Sequence, residues 1–418
     1  MSAPVTRPNG WTGGQYSLYR AIFGAYLAFH FAQLVPYGAE LFSSAGVIPE
    51  GSASPLLVPL NVFAWLDTPR FVTALLVCAV ALSGLFAAGW RDRIAAVALW
   101  YVLACLFGRN PLIANPGLPY VGWLLLAHAF LPPAPFGSLA ARGRVDPGAG
   151  WRMPQGIFVA AWILMALGYS YSGVMKLSSP SWLDGTALLR VLDNPLARDT
   201  CLREWALALP LWIMKGATWG ALGLELLFAP LALVRRLRPI LWTAALGMHL
   251  SLMGVIDFAD LTLGMAMLHL FTFNPDWVKP LAAERPDLLL YDGTCGLCHR
   301  AVRFLLSEDE AGQAFRFAPL QGATVEKVAS PAERATLPDS IVVATPEGAL
   351  LTRSAAFIRL LSRLGGFWRL LAIATRAVPR PVRDAAYAGV ARVRYRLFRR
   401  PTDTCPLLPP HLRERFDP

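Results

Sequence analysis

Tyr291-Asp292-Gly293-Thr294-Cys295-Gly296-Leu297-Cys298-His299 is the stretch on which the fold of this chain turns. Before it stands Asp287-Leu-Leu-Leu, so residues 287–292 read as a short buried strand that ends in an Asp-Gly turn. After it, Val302, Leu305 and Leu306 form one apolar face over residues 300–310, the spacing of a helix. The two cysteines thus lie where a strand hands over to a helix. A thiolate at a helix start is stabilised by unpaired backbone N–H groups and by the helix dipole. A second cysteine three residues on can close a disulfide and resolve an intermediate. The spacing predicts Cys295 as the attacking thiol and Cys298 as the resolving one, a pair that needs no cofactor to exchange disulfides. Asp292 stands close enough to receive a proton from the pair, although Asp-Gly is also a simple turn.

Working outward, residues 315–320 read as a second strand and residues 324–336 as a second helix. Residues 340–345 and 349–352 form a hairpin about Pro346-Glu-Gly348, and residues 354–364 a third helix closed by Gly365-Gly366. The order βαβαββα predicts a small α/β thioredoxin-like domain over residues 287–418. Pro338 stands near where such folds place a cis-proline. Cys-Gly-Leu-Cys-His is also the haem c attachment pattern, but the strand before it and the amphipathic helix after it argue against haem. No metal site is predicted, because zinc would need two more ligands and Cys405 and His411 form no paired motif. From Phe367 to Arg400 apolar residues alternate with Arg369, Arg376, Arg380, Arg383, Arg392, Arg394, Arg396, Arg399 and Arg400, against the single acid Asp384. Such a basic amphipathic segment suits the anionic inner leaflet of a membrane.

Tyr291-Asp-Gly-Thr-Cys-Gly-Leu-Cys298 resembles the signature of the DCC family of thiol-disulfide oxidoreductases, also called DUF393. Arg353-Ser354-Ala-Ala, Leu364-Gly-Gly-Phe-Trp368, Pro379 through Arg383-Asp384-Ala-Ala-Tyr387, and Arg394-Tyr395-Arg-Leu-Phe398 are similar to it as well, as is Cys405. The resemblance runs from about Leu288 to Cys405 and implies thioredoxin-like redox activity.

The first two-thirds of the 418 residues have another character. Across the chain 55% of residues are hydrophobic and only 16% charged, where soluble domains carry about 25% charged. A span needs roughly 20 apolar residues. Candidate spans cover residues 16–36, 71–90, 94–107, 118–131, 156–174, 217–234, 239–256 and 261–273. The expectation is a polytopic α-helical membrane domain of about eight transmembrane helices over residues 1–280. The first apolar run lacks a clear small-residue cleavage site and reads as a retained signal anchor. Arg7, Arg20, Arg91, Arg93, Arg142, Arg144, Arg152, Arg235, Arg236, Arg238, Lys279 and Arg285 all fall on one side of an eight-span layout. The positive-inside rule therefore predicts a multi-pass cell-membrane protein with both termini cytoplasmic. Residues 175–216 form a long loop on the other side, with an interfacial helix near 205–214. His30, His128, His249 and His269 lie in or near spans without a ligand spacing. Glu225 is the costliest intramembrane residue, with a histidine across the bundle as one partner.

Tyr169-Ser-Tyr-Ser-Gly-Val-Met-Lys176-Leu-Ser-Ser-Pro-Ser-Trp182-Leu-Asp184-Gly185 is similar to a stretch of the HTTM proteins, which include the vitamin K-dependent γ-glutamyl carboxylases. His249 through Asp260-Leu-Thr-Leu-Gly, and Phe273-Asn-Pro-Asp-Trp277, fit the same family. The resemblance implies that Lys176 matches a lysine implicated as the base that works with vitamin K hydroquinone. It is also the source of a quinone as an expected lipid-soluble partner. The alternative for Lys176 is a cation reaching the interface beside Trp182. The sequence thus predicts a membrane-bound thiol-disulfide oxidoreductase acting on a protein or small-molecule thiol, with no nucleic-acid partner. Two alternatives stand beside it. One is a carboxylase-like or peptide-maturation enzyme using Lys176 with the cysteine pair as its redox partner. The other is a non-enzymatic membrane scaffold with a redox-sensing domain.

Overall fold

The computed structural model describes residues 9–47, 60–113, 115–257, 259–398 and 408–418. It divides into two compact units. One comprises Tyr19–Leu131 and Pro154–Phe273, and the other Met1–Leu18, Pro132–Met153 and Asn274–Pro418.

The first unit is built from helices. In chain order these are α1 (Gly13–Leu34, which begins in the second unit), α2 (Gly38–Phe42), α3 (Pro69–Ala88), α4 (Asp92–Arg109), α5 (Leu118–Ala129) and α6 (Gln155–Lys176). Short helices α7 (Pro180–Leu183), α8 (Ala187–Leu192) and α9 (Cys201–Leu207) follow, then α10 (Leu211–Ala232), α11 (Arg238–Val255) and α12 (Ala259–Thr272). Helices α6 and α10 pack most closely, because Gly173 lets the backbones meet. A Cβ there would lie 2.6 Å from the Leu226 nitrogen.

Of the eight expected spans, helix length and polarity support two, or three with one bent pair. Only α3 and α6 are long and apolar enough to cross a membrane by themselves among the described residues. The α9–α10 pair would make a third span, but it is bent by 107°. At 1.5 Å per residue the 12 residues of α5 and the 14 of α12 reach only about 18 and 21 Å, short of the ~30 Å hydrocarbon layer. α4 carries Asp92, Arg93 and Arg109. The stretch expected as an interfacial helix at 205–214 splits between α9 and the start of α10, broken at Pro210, which stands just before α10 and cannot donate a backbone hydrogen bond.

The second unit holds the sheet. Strands β1 (Asp287–Tyr291), β2 (Phe315–Pro319), β3 (Val342–Ala344) and β4 (Leu350–Thr352) lie in the order β2-β1-β3-β4. β1 pairs parallel with β2, Leu289 opposite Phe317, and antiparallel with β3, Leu289 opposite Val343. Between them run α13 (Gly296–Glu308), α14 (Thr324–Val328), α15 (Pro331–Arg334) and α16 (Arg353–Leu364), followed by α17 (Gly366–Ala377), α18 (Arg380–Leu397) and α19 (Pro410–Arg413). The helix expected over 324–336 is in fact two. Ser330 caps α15 through a reciprocal box with Glu333, and Pro331 cannot continue α14. No peptide bond among the described residues is cis, so Pro338 is a trans residue. Leu289, Phe315, Phe317, Val302, Leu305 and Leu360 form the core. Asp287, buried at the start of β1, accepts from Arg359 Nε at 2.8 Å and Nη2 at 2.9 Å, which ties the sheet to α16.

One carboxylate ties the N-terminal segment to α13 and α17. Glu308, buried at the end of α13, accepts from the Thr12 hydroxyl, from the Gly14 N–H at 2.9 Å and from Trp368 Nε1 at 2.5 Å. Glu308→Ala strands those donors, each costing about 1–3 kcal/mol when unsatisfied. We expect residues 13–18 of this variant to lose amide-exchange protection by about tenfold or more, while α16 keeps its protection. Unchanged exchange at 13–18 would show that the carboxylate does not hold the segment.

Candidate active site

Cys295 occupies the N-cap of α13, with φ −104° and ψ 114°, and Cys298 lies on its first turn. The strand places them: β1 ends at Tyr291, and Asp292 folds the chain back by accepting from Thr294 N–H at 2.9 Å and Thr294 Oγ1 at 2.8 Å. The Asp292 carbonyl also accepts from Cys295 N–H at 3.1 Å. The Cys298 thiol donates to the Cys295 sulfur, which holds the Cys295 thiol down at about 6. Burial opposes this, and the N–H groups of Cys298 and Leu297 with the Arg394 charge reinforce it. The Cys298 thiol is pushed the other way, by the same hydrogen bond and by burial. One sulfur is thus prepared as a thiolate and the other as a thiol, the division of labour that exchange requires.

Asp292 is drawn into the site, though its carboxylate does not face a sulfur as a hydrogen-bond partner. Burial raises its carboxyl, but hydrogen bonds from Tyr395, Thr294 and Gln321 outweigh it and leave the group below the usual carboxylate range. Tyr395 donates to it at 2.7 Å, and Arg394 Nη2 in turn donates to the Tyr395 oxygen at 2.9 Å and to the Asp339 carbonyl at 2.5 Å. Burial raises the Tyr387 hydroxyl, and the nearby Cys295 thiolate adds to it. These contributions from α18 were missed in the sequence, where the same arginines signalled only a basic face. Arg394-Tyr395 within the family resemblance was the available clue. The Cys295 side chain is 0% exposed, so attack on any partner needs the cover over it to open. A cleft of about 390 Å³ adjoins the turn, lined by Asp292, Gln321, Arg334, Pro338, Asp339 and Tyr395.

His299 places Nε2 3.0 Å from the Gly293 carbonyl and packs edge-on to Tyr291. That engages the nitrogen a haem iron would need. Cys405 lies outside the described residues, and His411 sits on α19. Lys176, in the helical unit, closes α6 with its ammonium on the Glu225 carboxylate of α10, 3.3 Å from Ser172 Oγ and 4.6 Å from the centre of the Trp182 ring. Glu225 therefore pairs with Lys176 rather than with a histidine. His30 pairs with Asp260, His128 approaches Asp92, and His269 meets the Tyr169 hydroxyl at 2.7 Å. The structure gathers Cys295, Cys298 and Asp292 into one site; Lys176 belongs to the other unit.

Residues 289–400 match the DCC1-like thiol-disulfide oxidoreductase family. The uncharacterized protein YuxK of Bacillus subtilis is 37% identical over 135 residues, which are 31% of this chain and 93% of that protein. A chloroplastic DCC family protein of Arabidopsis thaliana is 30% identical over 136 residues, 32% of this chain and 78% of its own. No solved structure matches the chain. Through its C-terminal domain, this protein belongs to the DCC1-like thiol-disulfide oxidoreductase family.

Proposed function

We propose that this protein is a membrane-bound thiol-disulfide oxidoreductase whose thioredoxin-like domain works through Cys295 and Cys298. The observation that carries the reading is the pair itself, a lowered thiol at a helix start beside a raised one. In the reducing direction the Cys295 thiolate attacks a substrate disulfide, forms a mixed disulfide and expels one substrate sulfur, which takes up a proton. Cys298 then loses its proton and attacks the Cys295 sulfur, releasing the second substrate thiol and closing the Cys295–Cys298 disulfide. The substrate gains two electrons and the pair loses two; an oxidase runs the same steps backwards. The partner is a protein or small-molecule thiol, met in the cleft beside Asp292 and Tyr395.

The helical unit serves as an HTTM-like membrane anchor, crossing at α3 and α6 with the bent α9–α10 pair as a further candidate, and as the place for a lipid-soluble partner of quinone type. Membrane residence is supported by the outside of the helices: 28% of the α3 window and 39% of the α6 window are buried, so most of two highly apolar helices faces outward. A cytoplasmic placing of both termini is supported by the unit composition. Residues 9–18, 132–153 and 274–398, which pack together, carry cations that the positive-inside rule assigns to one side. On α17 and α18, exposed Leu370, Leu371, Ile373, Val382 and Val390 alternate with exposed Arg376, Arg392 and Arg396, a face suited to anionic lipid.

Two reporter cysteines test the placement in a chain whose native cysteines are replaced by Ser. Glu347→Cys, in the exposed β3–β4 turn, should react with a membrane-impermeant maleimide in inverted vesicles and not in intact cells. Asp199→Cys, 97% exposed between α8 and α9, should show the opposite. Both labelled from one side would overturn the proposed topology.

A further inference from the structure

Two cavities in the helical unit share a wall. The first has about 270 Å³ and is lined by His30, Phe42, Leu106, Asn115 and Asp260. The second has about 420 Å³ and is lined by Trp100, Ala104, Gly122, Trp123 and Leu126 of α4 and α5. Leu103, Phe107 and Leu118 face both. Polar groups converge only in the first. Asp260 accepts from Asn115 Nδ2 at 2.7 Å and from the Tyr26 hydroxyl at 3.2 Å, and His30 Nδ1 stands 2.8 Å from it. With Nδ1–H committed to the carboxylate, the ring's other nitrogen is its free polar atom.

An Asp–His contact between α1 and α12 could be a clamp and nothing more. A clamp, however, needs no cleft beside it. Here an apolar chamber adjoins the polar one, and a site that is mostly hydrocarbon with one or two placed polar groups is how small ligands are held. Among the described residues neither chamber is lined by a lysine or arginine. A phosphate head therefore finds no counter-charge there.

We propose that the two chambers together hold one neutral amphiphile. Its head donates a hydroxyl hydrogen to His30 Nε2, and its hydrocarbon tail lies between α4 and α5. A prenylated quinol and a long-chain lipid alcohol share that chemistry. The inference gives a location to the lipid-soluble partner proposed above and rests on the reading of this unit as membrane-embedded.

The test uses the full chain in nanodiscs and three photoreactive probes with one common tail, ending in a hydroquinone, an alcohol or a methyl group. Both head-bearing probes should label residues 100–107 and 118–126 saturably, and the tighter of the two identifies the source. His30→Leu should weaken them about tenfold or more, ~1.4 kcal/mol per tenfold, and leave the methyl probe unchanged. Leu103→Trp fills the shared wall with the Asp–His contact intact and should abolish saturable labelling. A methyl probe that binds as tightly as the others, or unchanged labelling in either variant, overturns the inference. Thiol exchange without saturable labelling sinks this site alone; labelling without thiol exchange sinks the redox reading alone.

Discussion

Cys295→Ser should abolish disulfide exchange, with a loss on the order of 10³-fold or more, because a hydroxyl has neither the acidity nor the nucleophilicity of the thiolate it replaces. Cys298→Ser should behave differently. The first attack needs only Cys295, so substrate should accumulate as a mixed disulfide, about one per protein, without turnover. The Cys298 thiol also donates to the Cys295 sulfur, so its loss should slow the first attack as well. Serine keeps an O–H donor and bounds that effect. Mass spectrometry of the trapped adduct reads both outcomes. An adduct on Cys298 in Cys295→Ser, formed as fast as the wild-type adduct on Cys295, would reverse the assigned roles.

The second large effect lies in pH. An ordinary cysteine thiol stands at 9.0 in its unperturbed state and Cys295 at about 6. Its thiolate absorbance should therefore rise with a midpoint near pH 6 and be nearly complete at neutrality. Alkylation of Cys295 should follow the same midpoint and fall about tenfold per pH unit below it. Burial of the sulfur lowers the absolute rate at every pH by the cost of opening, but does not move the midpoint. The group is depressed in the folded state, so its contribution to stability is present above the unfolded value. That contribution is lost as pH falls through about 6. The reduced protein should thus lose stability relative to the oxidised one between pH 9 and 5. Arg394→Gln removes the one full positive charge named among the causes, the smallest of them, and should raise the midpoint only slightly. A midpoint near 9 in the wild type would contradict this electrostatic account.

Much of the redox domain was legible because its signals are local. An apolar run before Asp-Gly, a CxxC and an apolar face over Val302, Leu305 and Leu306 lie within about twenty residues, and they fixed β1, the turn and α13 in the right order. The hairpin around Pro346-Glu-Gly348 was legible for the same reason. The break between α14 and α15 was written in Ser330-Pro331 and Glu333, a capping box that the apolar spacing across it concealed. What depends on distant pairing did not show. Tyr395 reaches Asp292 across 103 residues, and Thr12 reaches Glu308 across 296; no periodicity encodes either. Helix count suffered from the opposite error, because apolar composition alone does not give length: α5 and α12 are apolar but too short, and α4 is long enough but charged at both ends. Glu225 is buried and pairs with Lys176. Its partner could not be ranked, since Lys176 and four histidines were all available in sequence and only the close approach at Gly173 brings α6 against α10.

The central claim, two-electron exchange at Cys295 and Cys298, is most directly tested by mixing the reduced full-length protein in nanodiscs with a model disulfide at pH 7. Released thiol would be counted against the Cys295–Cys298 disulfide seen by mass spectrometry. The account predicts two substrate thiols released per protein disulfide formed, and none in Cys295→Ser. Thiol release without that intramolecular bond, or none from the wild type while the protein remains folded, would contradict it.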